Sequence, residues 1–341
     1  MKKKLSVVIL NWNGKEMLRN FLPSVLKHST IEGVEICVAD NDSTDDSCAM
    51  LTQEFPNVRI IKLDRNYGFA EGYNRALTEV DATYTLLLNS DVEVTEGWLP
   101  PLLNYMEQHP EVAACQPKLL SWKQKSNFEY AGACGGFIDK YGYPFCRGRI
   151  MATTERDDGQ YDEIVPIFWA TGAALMIRTE EYRINGGLDN RFFAHMEEID
   201  LCWRLRSRGK KIVCIPKSKV YHVGGATLNK ENPRKTYLNF RNNLLMLYKN
   251  LSEKELKPIL YTRMILDGVA ALQFLLKGEW RNAKAVWKAH HDFKDMRPMY
   301  IAIRKENLKK TCVTYISERT NWSILFRYYI QGKKRFCQLV N

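Results

Sequence analysis

Four clusters of polar side chains in the first 92 residues have the types that hold charged or hydrogen-bonding ligands, and each closes a short apolar run. They are Asn11-Trp12-Asn13-Gly14, Asp40-Asn41-Asp42-Ser43-Thr44-Asp45, the segment 65–74 and Asn89-Ser90-Asp91-Val92. Carboxylates and amides at this density can accept the N–H groups of a base or surround a cation. Phosphates settle among carboxylates only when a divalent cation or basic side chains neutralise them. Any one cluster taken alone also reads as turn chemistry, because Asn, Asp, Gly and Ser are the ordinary turn residues. Farther along, the adjacent acids Glu197 and Glu198 could take up a proton, and His222 could ligate a metal. An acidic first helical turn and a structural histidine are the plain alternatives for these two.

The elements that must position these residues alternate in type. Runs 5–10, 35–40, 58–63 and 84–89 are strand-like, the first nearly continuous in apolar residues and fit for burial on both faces. Segments 15–28 and 68–79 have helical spacing, with Met17, Leu18, Phe21, Leu22 and Val25 on one stripe of the first. Ser43 with Asp46 three residues on reads as a helix start. Such alternation implies right-handed crossovers and a parallel sheet, whose ligands lie outside the carboxyl ends of the strands. All four clusters fall at those ends. No G-x-G-x-x-G opens the first helix and no P-loop motif occurs, so an acid-lined nucleotide site with a metal remains.

In this order the motifs resemble family 2 glycosyltransferases of the GT-A fold, in the rhamnosyltransferase-like branch of bacterial surface-polysaccharide enzymes. Trp169-Ala170-Thr171-Gly172, Gly187-Leu188-Asp189, Glu197-Glu198-Ile199-Asp200 and Tyr221-His222-Val223-Gly224-Gly225 extend the resemblance over about residues 5–245. It implies an α/β architecture: a Rossmann-like, mixed, mostly parallel sheet flanked by helices, with a C-terminal helical extension. The expected division is a catalytic domain over 1–232 and a basic, mainly helical extension over 233–341.

The resemblance also implies roles. Asp40 would accept from the imide N–H of uracil or thymine, with Asn11 and Asn13 on the nucleoside. Asp42, Asn66, Gly68, Phe69, Ala70 and Asn74 would close over the donor, and Asn89 and Ser90 would reach it. Asn89-Ser90-Asp91 stands where the family carries Asp-x-Asp, leaving Asp91 as the main carboxylate on Mn²⁺ or Mg²⁺, with His222 as a distal ligand. Glu197 and Glu198 match the family's acidic pair. Glu198 is the expected base, although it is longer than the Asp usual there. Trp169, Thr171 and Gly172 would form the acceptor floor. Asp200 and Arg204, at i, i+4, read as a structural pair. Segment 121–162 shows no period and reads as a long loop insertion.

Charge divides the chain. The 341 residues carry a formal net charge of +11, yet 21 Lys+Arg and 8 Asp+Glu lie from Lys235 onward, a net of +13. The preceding 234 residues have a net of −2, which makes nucleic acid an improbable partner. Segments 234–251 and 259–276 read as helices. The second is nearly of membrane-span length, but Arg263 and Asp267 at its centre favour a helix lying on an anionic membrane. A solvated cap or an oligomer contact is the competing reading. Nine Cys without a C-x-x-C pair suit a reducing compartment. The apolar run after Met1-Lys2-Lys3-Lys4 is too short for a signal peptide, so the expected location is cytoplasmic, peripheral on the inner face of the plasma membrane.

The resulting expectation is a metal-dependent inverting glycosyltransferase. It would move sugar from a UDP- or dTDP-linked donor to a glycan or lipid-linked acceptor. A nucleotidyltransferase and a non-catalytic membrane-surface adaptor are the alternatives.

Overall fold

The computed structural model describes residues 2–224 and 232–339; Gly225, the last residue of the His222 motif, lies outside them. The strands are β1 (Lys3–Asn11), β2 (Val34–Asp40), β3 (Arg59–Lys62), β4 (Ala82–Asn89), β5 (Val92–Val94), β6 (Val112–Ser121), β7 (Gly136–Ile138), β8 (Pro144–Cys146), β9 (Arg149–Ile150), β10 (Thr153–Thr154), β11 (Val165–Pro166), β12 (Ala174–Arg178) and β13 (Lys211–His222). The helices are α1 (Lys15–His28), α2 (Ser47–Glu54), α3 (Gly68–Ala76), α4 (Leu99–Gln108), α5 (Thr179–Ile184), α6 (Glu197–Ser207), α7 (Pro233–Asn250), α8 (Glu253–Leu276), α9 (Trp280–Met296) and α10 (Ile301–Lys310).

The main sheet runs β11-β13-β6-β12-β4-β1-β2-β3, with β5 pairing β13. Strands β1 to β4 are parallel where they pair, whereas β12 is antiparallel to both β4 and β6. Side-chain alternation sorts each central strand between two helical layers. Val7, Ile9, Leu86 and Leu88 pack with Leu18, Leu22 and Leu102, while Val8 and Leu87 pack on the opposite face with Ala70, Tyr73 and Trp203. Both faces are covered, which explains the unbroken apolar runs. Each such Leu or Val buried contributes roughly 1.5–3 kcal/mol.

Two local readings are corrected. Helix α2 starts at Ser47 rather than Ser43, because Asp46 holds a left-handed backbone that ends the preceding turn. Segment 121–162 contains a four-stranded antiparallel sheet, β10-β9-β8-β7, instead of a simple loop. Its Phe145, Cys146 and Ile150 are buried, and Lys118 from β6 fastens Asp157 at 2.9 Å. Strands of two or three residues are too short for alternation to register.

Candidate active site

The register of the sheet brings three of the clusters to one edge. Asn11 pairs with Asp40, and Leu10 with Asn89, so β1, β2 and β4 end together. The antiparallel β12 begins at this edge, where the N–H of Asn89 donates to Ala173 O at 3.0 Å. Asn11 is buried and its Nδ2 donates to Asp40 Oδ1 and Ser43 Oγ, both at 3.0 Å, while its Oδ1 is buried without a partner. Asp40 Oδ2 accepts from Ser43 N. Asn13 and Asp42 both have left-handed backbones, and Asn13 Oδ1 accepts from Thr44 N at 2.7 Å. The first two loops are thus cross-braced into one wall.

Asn41, which the motif reading left without a role, ties that wall to the next loop. Its side chain donates to Asn66 Oδ1 and Gly68 O and accepts from Tyr67 N at 2.9 Å. Gly68 has φ +74°, and a Cβ there would lie 2.5 Å from the Phe193 ring. Only glycine therefore fits this position. Phe69 and Ala70 donate through their backbone N–H groups to Phe193 O at 2.7 and 3.2 Å. Asn74 is placed differently from the rest: its amide binds Leu188 O and Tyr182, anchoring α3 to the segment before α6.

At the end of β4, Asp91 is buried against His222, with Oδ1 3.1 Å from Nε2. Asn89 Nδ2 lies 3.4 Å from the same nitrogen. Behind the ring, Glu129 Oε2 lies 3.5 Å from Nδ1. Burial by itself would strip the imidazole of its proton, but the hydrogen bonds and charges of Asp91 and Glu129 outweigh it and hold the pKa up at about 10. Burial likewise works against the Asp91 charge, and His222 reverses this and keeps the carboxyl below its ordinary value. Among the described residues no cluster of three His, Cys, Asp or Glu side chains suits a metal. Two protein ligands, Asp91 and His222, with a carboxylate behind the imidazole, do fit a divalent cation completed by phosphate oxygens and water.

The segment before α6 is strained. Phe193, His195 and Met196 have φ of 65°, 71° and 72° without being glycine, and the N–H of Ala194 closes a γ-turn onto Phe192 O at 2.8 Å. Helix α7 holds this shape: Asn242 Nδ2 donates to the carbonyls of Phe192, Ala194 and His195 at 2.8–3.0 Å. The turn delivers Glu197 and Glu198, each with a buried Oε2 lacking a hydrogen-bond partner. Burial pushes Glu198 up to about 7, while burial and the neighbouring Glu198 charge hold Glu197 well above the carboxylate range. His195 is pushed down to about 4 by burial and Lys235. Gly172 lies against Glu198, and a Cβ on it would stand 3.1 Å from Phe69. Asp200 pairs with Arg204 at 3.0 Å, as its spacing suggests, and Lys249 joins at 2.7 Å.

Trp169 does not offer a ring face at this edge. Its indole is 3% exposed, covered by the Gly136 backbone, and donates to Phe137 O at 2.9 Å. Thr171 is also buried, its N–H donating to Gln116 Oε1. Of the expected floor, Gly172 alone borders a candidate catalytic group.

Residues 6–147 match the family described as Glycosyl transferase family 2. The chain is 28% identical over 240 residues to the N-acetylglucosaminyl-diphospho-decaprenol L-rhamnosyltransferase of Mycobacterium tuberculosis, covering 65% of this chain and 76% of that protein. Among solved structures, GalNAc-T7 with UDP, GalNAc and Mn²⁺ superposes with a TM-score of 0.56 at 16% identity, over 73% of this chain and 48% of that one. The mannosyltransferase PcManGT from Pyrobaculum calidifontis, in complex with GDP-Man and Mn²⁺, gives 0.51 at 12% identity over 91% and 84%. The motifs gathered at one sheet edge and the likeness over most of the chain agree: the chain has the GT-A fold, and its sequence is similar to family 2 glycosyltransferases over residues 6–147 and to a rhamnosyltransferase over 65% of its length.

Proposed function

We propose that the enzyme transfers a sugar, with inversion, from a nucleoside-diphosphate donor to a glycan or lipid-linked acceptor in cell-surface polysaccharide synthesis. Residues 1–232 would form the catalytic domain, with 233–341 as its helical extension. The observation that carries the reading is the Glu197–Glu198 pair at the strained turn. Two neighbouring acids with raised pKa values separate into an acid that keeps its proton and a base that works near neutrality. Glu198 takes the base role, since its ionisation near pH 7 leaves it ready to accept a proton. The acceptor O–H proton passes to Glu198 as the oxygen bonds to the anomeric carbon. The bond from that carbon to the diphosphate breaks on the opposite side, and the nucleoside diphosphate leaves with the electron pair.

Asp40, with Asn11 and Asn13, would hold the base, uracil or thymine being the matching partners. Asp42 and the 66–70 loop would cover the nucleoside, with Asn89 and Ser90 toward the phosphates. Asp91 and His222 would hold Mn²⁺ or Mg²⁺. When bound, such an ion supplies charge neutralisation for the departing diphosphate. The UDP and GDP-Man bound in the two solved glycosyltransferases of like fold support this class of donor, and the mycobacterial relative's name supports an acceptor on a diphospho-polyprenol. A lipid-linked acceptor places the enzyme on the cytoplasmic face of a membrane.

The test is a thermal-shift panel of UDP-, dTDP- and GDP-sugars with and without Mn²⁺, followed by a nucleoside-diphosphate release assay on polyprenyl-diphosphate acceptors. Stabilisation by UDP- or dTDP-sugars that grows with Mn²⁺ is expected. No stabilisation by any donor would overturn the reading.

A further inference from the structure

Helix α8 is turned inside out relative to an ordinary surface helix. Its two central charges point into the protein: Arg263 is 2% exposed and Asp267 is fully buried. Arg263 donates to Asp267 at 3.1 Å and to Tyr141 O at 3.0 Å. Asp267 accepts from Tyr143 Oη at 3.0 Å and lies 2.9 Å from His290 Nε2 on α9. The outward face is apolar. Met264, Ile265, Val269, Leu272, Leu275 and Leu276 are each more than half exposed, Leu276 by 81%. From Met264 to Leu276, roughly 20 Å at 1.5 Å per residue, this makes a continuous stripe along the second half of α8 that water does not reward. Trp280 and Trp287 on α9 extend it, also more than half exposed.

The rim is cationic. Lys257 and Lys277 bracket the stripe, and between them the only charges are the inward pair Arg263 and Asp267. Arg281, Lys284 and Lys288 follow on exposed positions of α9, with the Arg281 guanidinium 5.5 Å from the Trp280 ring centre. Apolar side chains flanked by basic residues and tryptophan match an anionic lipid surface. A second copy on this face would set one cationic rim against another. A membrane-spanning pose would tear Arg263 and Asp267 from Tyr141, Tyr143 and His290.

We propose that the outward face of α8, with the start of α9, is the surface by which this enzyme lies on anionic membrane. The Leu, Ile and Met side chains enter the acyl boundary, and the lysines and Arg281 sit among the headgroups. The inference rests on the proposed lipid-linked acceptor only for its purpose, since vesicle binding needs neither donor nor acceptor.

Co-sedimentation of the full chain with vesicles tests it. Equal parts phosphatidylglycerol and phosphatidylcholine should pellet the protein, and phosphatidylcholine alone should bind it at least roughly tenfold more weakly. The triple variant Ile265→Asp, Val269→Asp, Leu272→Asp should lose binding to the anionic vesicles by at least roughly tenfold, with an unchanged donor-induced thermal shift. A second variant, Lys277→Gln, Arg281→Gln, Lys284→Gln, touches no buried residue and should weaken binding and flatten its salt dependence. Wild-type protein remaining in the supernatant with anionic vesicles would overturn the proposal, as would undiminished binding by both variants. So would a wild-type dimer that the apolar variant splits while no vesicles are bound, because the face would then belong to a second copy. Loss of donor stabilisation with vesicle binding intact would sink the functional reading and leave this one standing.

Discussion

Asp91 and His222 meet across the strand pairing of β5 with β13, carboxylate oxygen 3.1 Å from imidazole nitrogen, with Glu129 on the ring's far side. Asp91 and His222 would hold a divalent ion only after the imidazole gives up the proton that its raised pKa favours, so metal affinity should climb with pH.

Replacing Asp91 with Asn should erase the Mn²⁺-dependent part of donor binding in calorimetric titration and leave the metal-independent part. Glu129→Gln should weaken Mn²⁺ binding by roughly 10–100-fold, as expected for the carboxylate behind a ligating histidine. Unchanged Mn²⁺ affinity in Glu129→Gln would remove Glu129 from the site.

The rate should titrate with Glu198. Its pKa is raised to about 7, and a base must be ionised, so kcat/KM should fall as pH drops below about 7. Initial rates at saturating metal, measured from pH 5 to 8, check this, and an acid limb centred near the ordinary carboxylate value of about 4.3 would contradict it.

Glu198→Gln should slow transfer by about 10²–10⁴-fold and make the fold more stable at neutral pH. The sign follows from linkage. A carboxyl whose folded pKa is raised contributes stability that is full below about 4.5 and lost as pH rises through about 7. The amide mimics the protonated form, so the variant's advantage should grow over that window to about 3 kcal/mol and be absent near pH 4. Denaturant melts of both proteins at pH 4 and 8 measure it.

Asn242→Leu removes one side chain that satisfies three carbonyls. The expected loss is about 1–3 kcal/mol of stability. The turn carrying Glu198 should relax as well, with kcat down at least roughly tenfold and donor KM nearly unchanged, because near-attack geometry tolerates little displacement. A change in KM alone would argue that α7 serves the donor side instead.

Much of this was legible in the sequence, for reasons that can be named. The strands carrying Asn11, Asp40 and Asn89 are buried on both faces, so they announce themselves as apolar runs, and parallel topology then fixes where their ends lie. Trp169 was misplaced because an aromatic side chain beside glycines suits a ligand floor and a packed core equally well; only the approach of Gly136 distinguishes them. Glu129 left no signal, since it reaches His222 across 93 residues of chain from a segment whose strands are too short to show alternation. The strained turn was equally silent, because Phe193 and Met196 are not residue types that prefer left-handed backbone and a single His195 between them is too weak a signal. Asn41 stood inside a recognised motif, and its role as a brace follows only from where loop 66–70 returns.

The three carbonyls gathered by Asn242 also bear on how this enzyme could be recombined. The turn bearing the acidic pair takes its shape from an amide that lies beyond the sheet, on the first helix of the tail. A chimaera joining this sheet to a foreign tail would inherit Glu197 and Glu198 but not their orientation, unless the donor helix brought an equivalent amide to the same place. The two regions of contrasting charge are therefore exchangeable only as a matched set.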